Sequence, residues 1–323
     1  MLRTIGFLLF IIGLTACTPE PVLVNQISNG TDVENNPVSI TETPFQPVII
    51  SITPTKTPDP VYLTGAGDIS VCDYETDDAT AALLENVPGL VFTLGDTQYS
   101  GSTYEKFSTC FDQSWGKYKE RMIPVIGNHE YEDNNAAGYY DYFENELDPD
   151  RQGYYSMDVG AWHVIVLNSQ CDAVGGCDKK SPQVQWLESD LAKDSHLCTL
   201  ALWHHPRFST GYHGPDKDMD AIWQLMVEND VELVINGHEH NYERFAPMDA
   251  DGKINLSDGT RMIIAGTGGA DLRPQYLQDP ASLVYSNNSY GVLQLKLEYG
   301  TYTWEFIPVE GSTFSDSGWG YCY

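Results

Sequence analysis

The amino-acid sequence predicts an α/β domain that also contains some antiparallel sheet. From Val61 onward, short β-branched runs alternate with amphipathic segments and glycine-rich turns, the pattern of strands and helices that follow one another. Near the C-terminus, two strand-like runs joined through Gly300 have the pattern of a β-hairpin. Hydrophobic residues make up 41% of the 323 residues and aromatic residues 12%. This content is enough to build a large core, so global disorder is excluded.

Residues 1–16 have the pattern of a secretion signal. Arg3 is followed by the apolar run Ile5–Leu14, which is too short to cross a bilayer, and then by small residues. The segment Leu14–Cys17 resembles the lipobox of bacterial lipoproteins, in which the chain is cleaved before the cysteine and the thiol receives a lipid. We therefore expect an extracytoplasmic protein anchored to the cell membrane through Cys17. The alternative is an ordinary secretion signal with a chance cysteine.

Residues 17–60 predict an extended tether that holds the folded domain away from the membrane. Thr, Pro, Asn, Val, Ser and Glu dominate this segment, and Thr-Pro steps recur along it. Proline interrupts helices and sheet ladders alike. A small strand-rich domain is the alternative, but about 40 residues with so many prolines can hardly bury a core. The folded domain is therefore expected to span residues 61–323.

The expected elements of this domain follow from the periodicity of its apolar residues. Two helices are expected, one beginning at the capping residue Ser181 with Pro182 in its first turn, and one near residues 218–228. The buried strands are expected at Val61–Gly67, Leu90–Leu94, Met122–Ile126, Trp162–Leu167, Cys198–Trp203, Val231–Ile235 and Arg261–Ala265. The hairpin strands are expected at Val292–Leu297 and Tyr302–Pro308.

The cysteine content suggests disulfides. Setting Cys17 aside leaves six cysteines, an even number in an exported chain. Cys171 and Cys177 flank a tight glycine-containing loop and are the easiest pair to close. The other pairings are open among the 15 that six cysteines allow, and we favour Cys72 with Cys110 and Cys198 with Cys322.

The net charge of −29 excludes a role in coating nucleic acids, because such proteins need a basic surface. If the chain binds a small anion, the local positive charge must come from something other than its few Lys and Arg residues. A multivalent metal ion is the obvious candidate.

Polar residues follow five of the predicted strands. Ligands in open α/β sheets bind outside the carboxyl ends of the strands, so these residues are expected to share one edge. Only His163 and His196, of the eight histidines, lie away from these loops. The polar residues, in chain order, are Asp68, Asp96, Tyr99, Asn128, His129, His204, His205, His238 and His240.

This mixture of carboxylate, imidazole, amide and phenol groups suits metals such as Fe, Mn or Zn. A single carboxylate between two ions can bridge them. Two-metal hydrolases hold their ions about 3.5–4 Å apart and clamp both the attacking and the leaving oxygen of the reaction. The sequence therefore predicts a dinuclear metal site at the carboxyl ends of the strands.

The five strands and the polar residues that follow them, in this order, resemble the metallophosphoesterase (calcineurin-like) superfamily. The spacing of Asp96 and Tyr99 resembles its purple acid phosphatase branch. The resemblance covers residues 61–323. It implies a four-layer αββα sandwich, in which two mixed sheets lie face to face with helices outside. In this branch, charge transfer from a phenolate to ferric iron produces the visible colour. Ser70 departs from the pattern of other superfamily members, which have a ligand histidine there, and this agrees with Tyr99 taking that role.

The resemblance also implies a role for each residue. Asp68, Asp96, Tyr99 and His240 would bind Fe(III), with Asp96 bridging to a second, divalent ion of Fe, Zn or Mn. Asn128, His204 and His238 would hold that second ion. His204 is preferred to His205 because the ligand histidine of the branch stands two residues before a proline. His213 stands where the branch has a histidine that contacts the substrate. His129 is next to Asn128 in the sequence, so it can reach the phosphate, where it could stabilise the transition state or protonate the leaving alcohol.

The expected function is hydrolysis of small phosphate monoesters by a hydroxide bound to the two metal ions. Phosphodiesterase or nucleotidase activity at the same centre is the alternative within enzymes. A non-catalytic surface lipoprotein is the alternative from another class, although such a protein has no need of seven ligand-type residues.

We predict that Cys17→Ser releases the protein from membranes without abolishing its activity, because residues 17–60 serve only as a tether. Membrane fractionation of cells that express the variant, with activity measured in each fraction, tests this. Continued retention of the variant in the membrane fraction would refute the lipobox interpretation.

Overall fold

The computed structural model describes residues 58–99 and 101–323. The predicted signal, Cys17 and nearly all of the tether lie outside these residues. The described strands are β1 (Val61–Ala66), β2 (Leu90–Thr93), β3 (Met122–Ile123), β4 (Tyr155–Val159), β5 (Trp162–Val166), β6 (Cys198–Leu202), β7 (Leu233–Asn236), β8 (Tyr242–Phe245), β9 (Arg261–Ala265), β10 (Ser282–Ser286), β11 (Gly291–Glu298), β12 (Thr301–Pro308) and β13 (Ser317–Tyr321). The α-helices are α1 (Thr76–Leu83), α2 (Tyr104–Thr109), α3 (Ala137–Phe143), α4 (Pro182–Leu191) and α5 (Asp220–Glu228).

These strands form two mixed sheets. The first has the order β13-β12-β11-β1-β2-β3, in which β1, β2 and β3 are parallel and β11 is antiparallel to β1. The second has the order β10-β8-β9-β7-β6-β5-β4, with β5, β6, β7 and β9 parallel at its centre. Each sheet therefore contributes parallel strands whose carboxyl ends lie at one edge.

The two sheets pack face to face, and helices cover their outer faces. Alternation along β5 shows the arrangement, because Val164 and Val166 belong to the core between the sheets whereas Ile165 packs with the helices. On that outer face, α4 and α5 contribute Leu187 and Ile222. Helices α1, α2 and α3 cover the first sheet in the same way. The predicted four-layer αββα sandwich is confirmed.

Most of the predicted elements are present, and one difference is informative. Strand β3 ends at Ile123 instead of Ile126, because Pro124 has no N–H to donate to a sheet ladder. Helix α4 begins as predicted, and the Ser181 side chain accepts a hydrogen bond from the backbone N–H of Val184. No clear pattern in the sequence predicts β4, β8, β10, β13 or the three helices on the first sheet.

The three favoured disulfides are confirmed. Cys72 is bonded to Cys110, Cys171 to Cys177, and Cys198 to Cys322. The last of these joins β6 to the segment that follows β13, and so links the two sheets. Within residues 58–99 and 101–323, no helix is long and apolar enough to cross a membrane.

Candidate metal centre

The residues predicted to bind metal lie together where strands of both sheets end. Asp68 follows β1, Asp96 and Tyr99 follow β2, and Asn128 follows β3, all in the first sheet. His204 follows β6, and His238 and His240 follow β7, in the second sheet. The site therefore spans the edges of both sheets, and packing of one sheet on the other brings its two halves together.

One group of donor atoms surrounds the phenol oxygen of Tyr99. This oxygen lies 2.8 Å from Asp68 Oδ1, 3.2 Å from Asp96 Oδ2 and 3.0 Å from His240 Nε2. The four side chains are those that the family resemblance assigns to Fe(III). All four are largely buried.

A second group surrounds His204. Its Nε2 lies 3.1 Å from Asp96 Oδ2, 3.2 Å from Asn128 Oδ1 and 3.2 Å from His238 Nδ1. These are the residues that the resemblance assigns to the divalent ion, together with Asp96. The same oxygen, Asp96 Oδ2, faces both groups, which is the position a bridging carboxylate needs.

Hydrogen bonds to the backbone fix which atom of each ligand faces the site. His204 Nδ1 lies 2.6 Å from the Leu94 carbonyl oxygen, and His240 Nδ1 lies 2.8 Å from the Asp271 carbonyl oxygen. A ring nitrogen that donates to a carbonyl leaves the other nitrogen free to accept or to bind a metal. In both histidines that free atom is Nε2, which faces the other donors.

Four of the seven candidate ligands have left-handed backbone conformations. These are Asp68, Asp96, His238 and His240, with φ values of 57°, 48°, 74° and 50°. A residue other than glycine rarely adopts such a conformation, at a cost of about 1–3 kcal/mol each. These strained conformations lower the stability of the fold, and they orient the four side chains toward one another.

Glycines lie against the two buried carboxylates. A Cβ atom on Gly127 would come within 2.3 Å of Asp96 Oδ1, and one on Gly266 within 2.5 Å of Asp68 Oδ2. Gly266 begins the glycine-rich Gly266–Gly269 turn, which packs against Asp68 and supports the loop that carries it, since the Gly268 N–H donates to the Gly67 carbonyl oxygen.

The electrostatics of the site favour a bound cation. Burial raises the pKa of Asp68 to about 7. Burial, and then the charge of Asp68, raise the pKa of Tyr99 well above its usual value, so the phenol stays protonated unless a cation lies against it. Burial is the largest single influence on the pKa of Asp96 and acts to raise it, but the charge of His204 and the hydrogen bonds from His204 and His129 together hold that pKa below its usual range. Burial lowers the pKa of His240 to about 4, which keeps the ring neutral and able to bind a metal.

The residues present fit two metal ions. The ligand atoms of Asp68, Asp96 and His204 lie within 4.8 Å of one another, as do those of His204, His205 and His238. Carboxylate, phenol, amide and imidazole donors suit borderline and hard metals. His205 lies beside the site as well, but its Nδ1 is 2.8 Å from the hydroxyl of Ser169.

The sequence profile of the calcineurin-like phosphoesterases matches residues 63–242, more than half of the chain. The chain belongs to the calcineurin-like phosphoesterase family. The predicted superfamily is confirmed.

Several relatives of this phosphoesterase are purple acid phosphatases. Purple acid phosphatase 15 of Arabidopsis thaliana is 28% identical over 222 residues, which cover 57% of this chain and 41% of the relative. Purple acid phosphatase 13 of the same plant is 30% identical over 285 residues, which cover 72% of this chain and 50% of the relative. The chain thus spans about half the length of these relatives.

Solved structures show the same fold. A purple acid phosphatase isolated from yellow lupin (Lupinus luteus) seeds matches with a TM-score of 0.66 at 18% identity, over 81% of this chain and 53% of that one. GAP50, described as the anchor in the inner membrane complex of Plasmodium, matches with a TM-score of 0.59 at 15% identity, over 81% of this chain and 88% of that one. At such identities the likeness concerns the fold alone.

The two predicted catalytic histidines of this phosphoesterase lie beside the ligands. His129 Nε2 is 3.8 Å from Asp96 Oδ2, and the His129 ring lies 4.4 Å from the ring of Tyr99. The His213 ring stacks on that of His238, with 4.2 Å between their centroids. The side chains of His129 and His213 are 28% and 29% exposed, so both can meet a substrate that enters from solvent.

Arg273 is a site residue that the sequence analysis missed. Its guanidinium contacts His213 Nε2, and its backbone N–H donates to the carbonyl oxygen of His240. It also lies over the ring of Tyr212, 5.1 Å from the centroid. It lies far along the chain from the other site residues, in a segment with no motif, so the sequence offered no signal for it.

Glu130 is a second missed residue. Its carboxylate accepts hydrogen bonds from the backbone N–H groups of Asp96, Thr97 and Gly127, at 3.0, 2.6 and 2.7 Å, and from the Thr97 hydroxyl. The side chain is fully buried. Glu130 therefore ties the loop that carries Asp96 to the loop that carries Asn128. Its position two residues after a predicted ligand was visible in the sequence, but its role was not.

We predict that Glu130→Gln lowers the metal content of the purified protein and its free energy of unfolding. In the wild type, both carboxylate oxygens of Glu130 accept hydrogen bonds from backbone N–H groups. In the variant, the NH₂ group of the carboxamide replaces one of these acceptors, and a buried donor left without a partner costs about 1–3 kcal/mol. Metal analysis and denaturant unfolding test this, with Glu146→Gln, a change at an exposed acid, as the control. If both variants match the wild type, Glu130 does not hold the loops.

Proposed function

We propose that the protein hydrolyses small phosphate monoesters at a dinuclear metal centre, in the manner of purple acid phosphatases. The observation that carries this proposal is the position of Asp96 Oδ2, which lies within 3.2 Å of a donor atom in each ligand group. Membership of the calcineurin-like phosphoesterases and the purple acid phosphatase relatives support it.

The proposed metals are Fe(III) and a divalent ion of Fe, Zn or Mn. Asp68, Tyr99 and His240 would hold the first, Asn128, His204 and His238 the second, and Asp96 both. When bound, these ions would neutralise phosphate oxygens and activate water at a pH where free water is unreactive. They would also explain how a chain of net charge −29 accepts an anion.

In this proposal, His129 protonates the leaving oxygen. Its Nδ1 lies 2.9 Å from Glu132 Oε1, so Nε2 is the ring nitrogen that faces the metal ligands. A proton on Nε2 would pass to the departing alcohol of a phosphate ester bound at the proposed metal ions.

In this proposal, His213 and Arg273 bind the phosphate at the mouth of the site. Contact between the two side chains orients both, and the guanidinium can donate two parallel hydrogen bonds to phosphate oxygens. Tyr212 and Tyr276 lie beside them, with side chains in contact and largely exposed. These rings offer a flat surface to the organic part of the substrate.

We also propose that the protein is extracytoplasmic and anchored to the cell membrane through a lipid on Cys17. Its three disulfides support this location, because such bonds form and persist in oxidising compartments. The lipobox-like segment 14–17 supports the anchor.

We predict that Asp96→Asn and His238→Ala each lower kcat/KM for an aryl phosphate by at least about 100-fold, since each change removes a proposed metal ligand. His196→Ala is the control, because His196 lies away from the centre. Parallel rates on a bis-aryl phosphate distinguish a monoesterase from a diesterase. Equal activity in all three folded variants and the wild type would refute the site.

We predict that the iron-loaded protein absorbs visible light and that Tyr99→Phe loses this band while it keeps metal and some activity. A buried phenol ionises at neutral pH only against a strong Lewis acid, and ferric iron is such an acid. Absorption spectra and metal analysis of both proteins test this. A colourless wild type, or a variant that keeps its colour, would show that Tyr99 is not an iron ligand.

A further inference from the structure

A second cluster of histidines and carboxylates lies at the opposite edge of the second sheet. His163 is near the start of β5 and His196 precedes β6, whereas His204 of the candidate centre follows the end of β6. The cluster also contains Asp158 at the end of β4 and Asp194 in the segment between α4 and β6. His163 and His196 are the two histidines that lie away from the loops of the candidate metal centre.

The donor atoms of this cluster have the spacing of a metal site. Asp158 Oδ1 lies 2.9 Å from His163 Nδ1 and 3.8 Å from His196 Nδ1. In a tetrahedral zinc site with bonds of about 2.0–2.1 Å, neighbouring ligand atoms are about 3.3 Å apart. The two observed distances lie on either side of that value, and the ligand atoms of all three residues lie within 4.8 Å of one another.

A hydrogen bond on the far side of His163 orients its ring. His163 Nε2 lies 2.9 Å from Asp190 Oδ2, and Asp190 Oδ1 accepts a hydrogen bond from the Ser156 hydroxyl. Metal-binding histidines commonly donate their other N–H to a carboxylate in this way, which fixes the tautomer and directs the free nitrogen at the metal. Here that nitrogen is Nδ1, which faces Asp158.

The cluster also offers a fourth ligand and a path from solvent. Asp194 Oδ1 lies 2.7 Å from His196 Nδ1, so this carboxylate could complete the coordination. The side chains of Asp158 and His196 are 61% and 28% exposed. A cation from solvent can therefore reach these two donors.

We propose that Asp158, His163 and His196 bind a divalent transition-metal cation such as Zn²⁺, at a site separate from the dinuclear centre. Two imidazoles and a carboxylate suit zinc. A bound ion would join the β4–β5 hairpin to the segment before β6, and a ligand that binds only the folded state stabilises it. The proposal does not rest on the proposed catalytic function.

Zinc analysis of the full-length protein tests this proposal. Wild type, His196→Gln and His163→Gln are saturated with Zn²⁺ at mildly alkaline pH, freed of unbound metal and analysed for zinc per chain. Alkaline pH is chosen because, although burial lowers the pKa of His163, its carboxylate partners raise it to about 9 and a proton competes with the metal. Asp251→Asn, a change at an exposed acid distant in the chain, is the matched control.

The expected result is one zinc equivalent fewer in both histidine variants than in wild type and the control. Zinc should also raise the unfolding temperature of the wild type more than that of His196→Gln. Equal zinc contents would overturn the proposal and leave the cluster as a network of ion pairs. If buried His163→Gln does not fold, the partly exposed His196→Gln decides the outcome alone. The zinc difference is read without any assay of activity.

Discussion

The structure depends on one electrostatic constraint, the burial of two carboxylates, Asp68 and Asp96, at the edge of the sandwich. Both are almost completely excluded from solvent. Burying a charge is costly unless it is paired or binds a metal. Here the compensation comes from several sources at once: His204, the N–H groups of His129 and His238, the phenol of Tyr99, and the cations that the donor set fits. The left-handed backbone conformations of four candidate ligands, and the glycines that pack against the two carboxylates, keep these groups in contact.

The two-sheet architecture meets this constraint because each sheet supplies part of the candidate ligand set. Asp68, Asp96, Tyr99 and Asn128 follow strands of the first sheet, and His204, His238 and His240 follow strands of the second. A core of large apolar side chains between the sheets, which includes Phe92 and Trp162, sets their separation. Because protein cores are close-packed, this separation is fixed to within small shifts, and so are the distances between ligands. The precision of the site is therefore a consequence of packing far from it.

The sequence was sufficient to predict the strands that carry polar residues at their ends, because that signal is local and combines a β-branched run with an abrupt change to Asp, Asn or His. It was not sufficient for Glu130 or Arg273, whose roles arise from contacts between distant segments. Strand β8, with Glu243 and Arg244 in its sequence, lacks the apolar run that marks the others. The cluster of His163 and His196 was equally hidden, since only the pairing of β5 with β6 and the turn before β6 bring the two rings together.

The proposed function requires that two metal ions share the carboxylate of Asp96. Anomalous diffraction from crystals of the metal-loaded protein, recorded at the absorption edges of iron and of zinc, measures this directly. Two peaks are expected on either side of Asp96 Oδ2, one in contact with Tyr99 and His240 and the other with Asn128, His204 and His238. A single peak at this edge of the sandwich, or two peaks of which only one contacts Asp96, would show that the carboxylate is not shared.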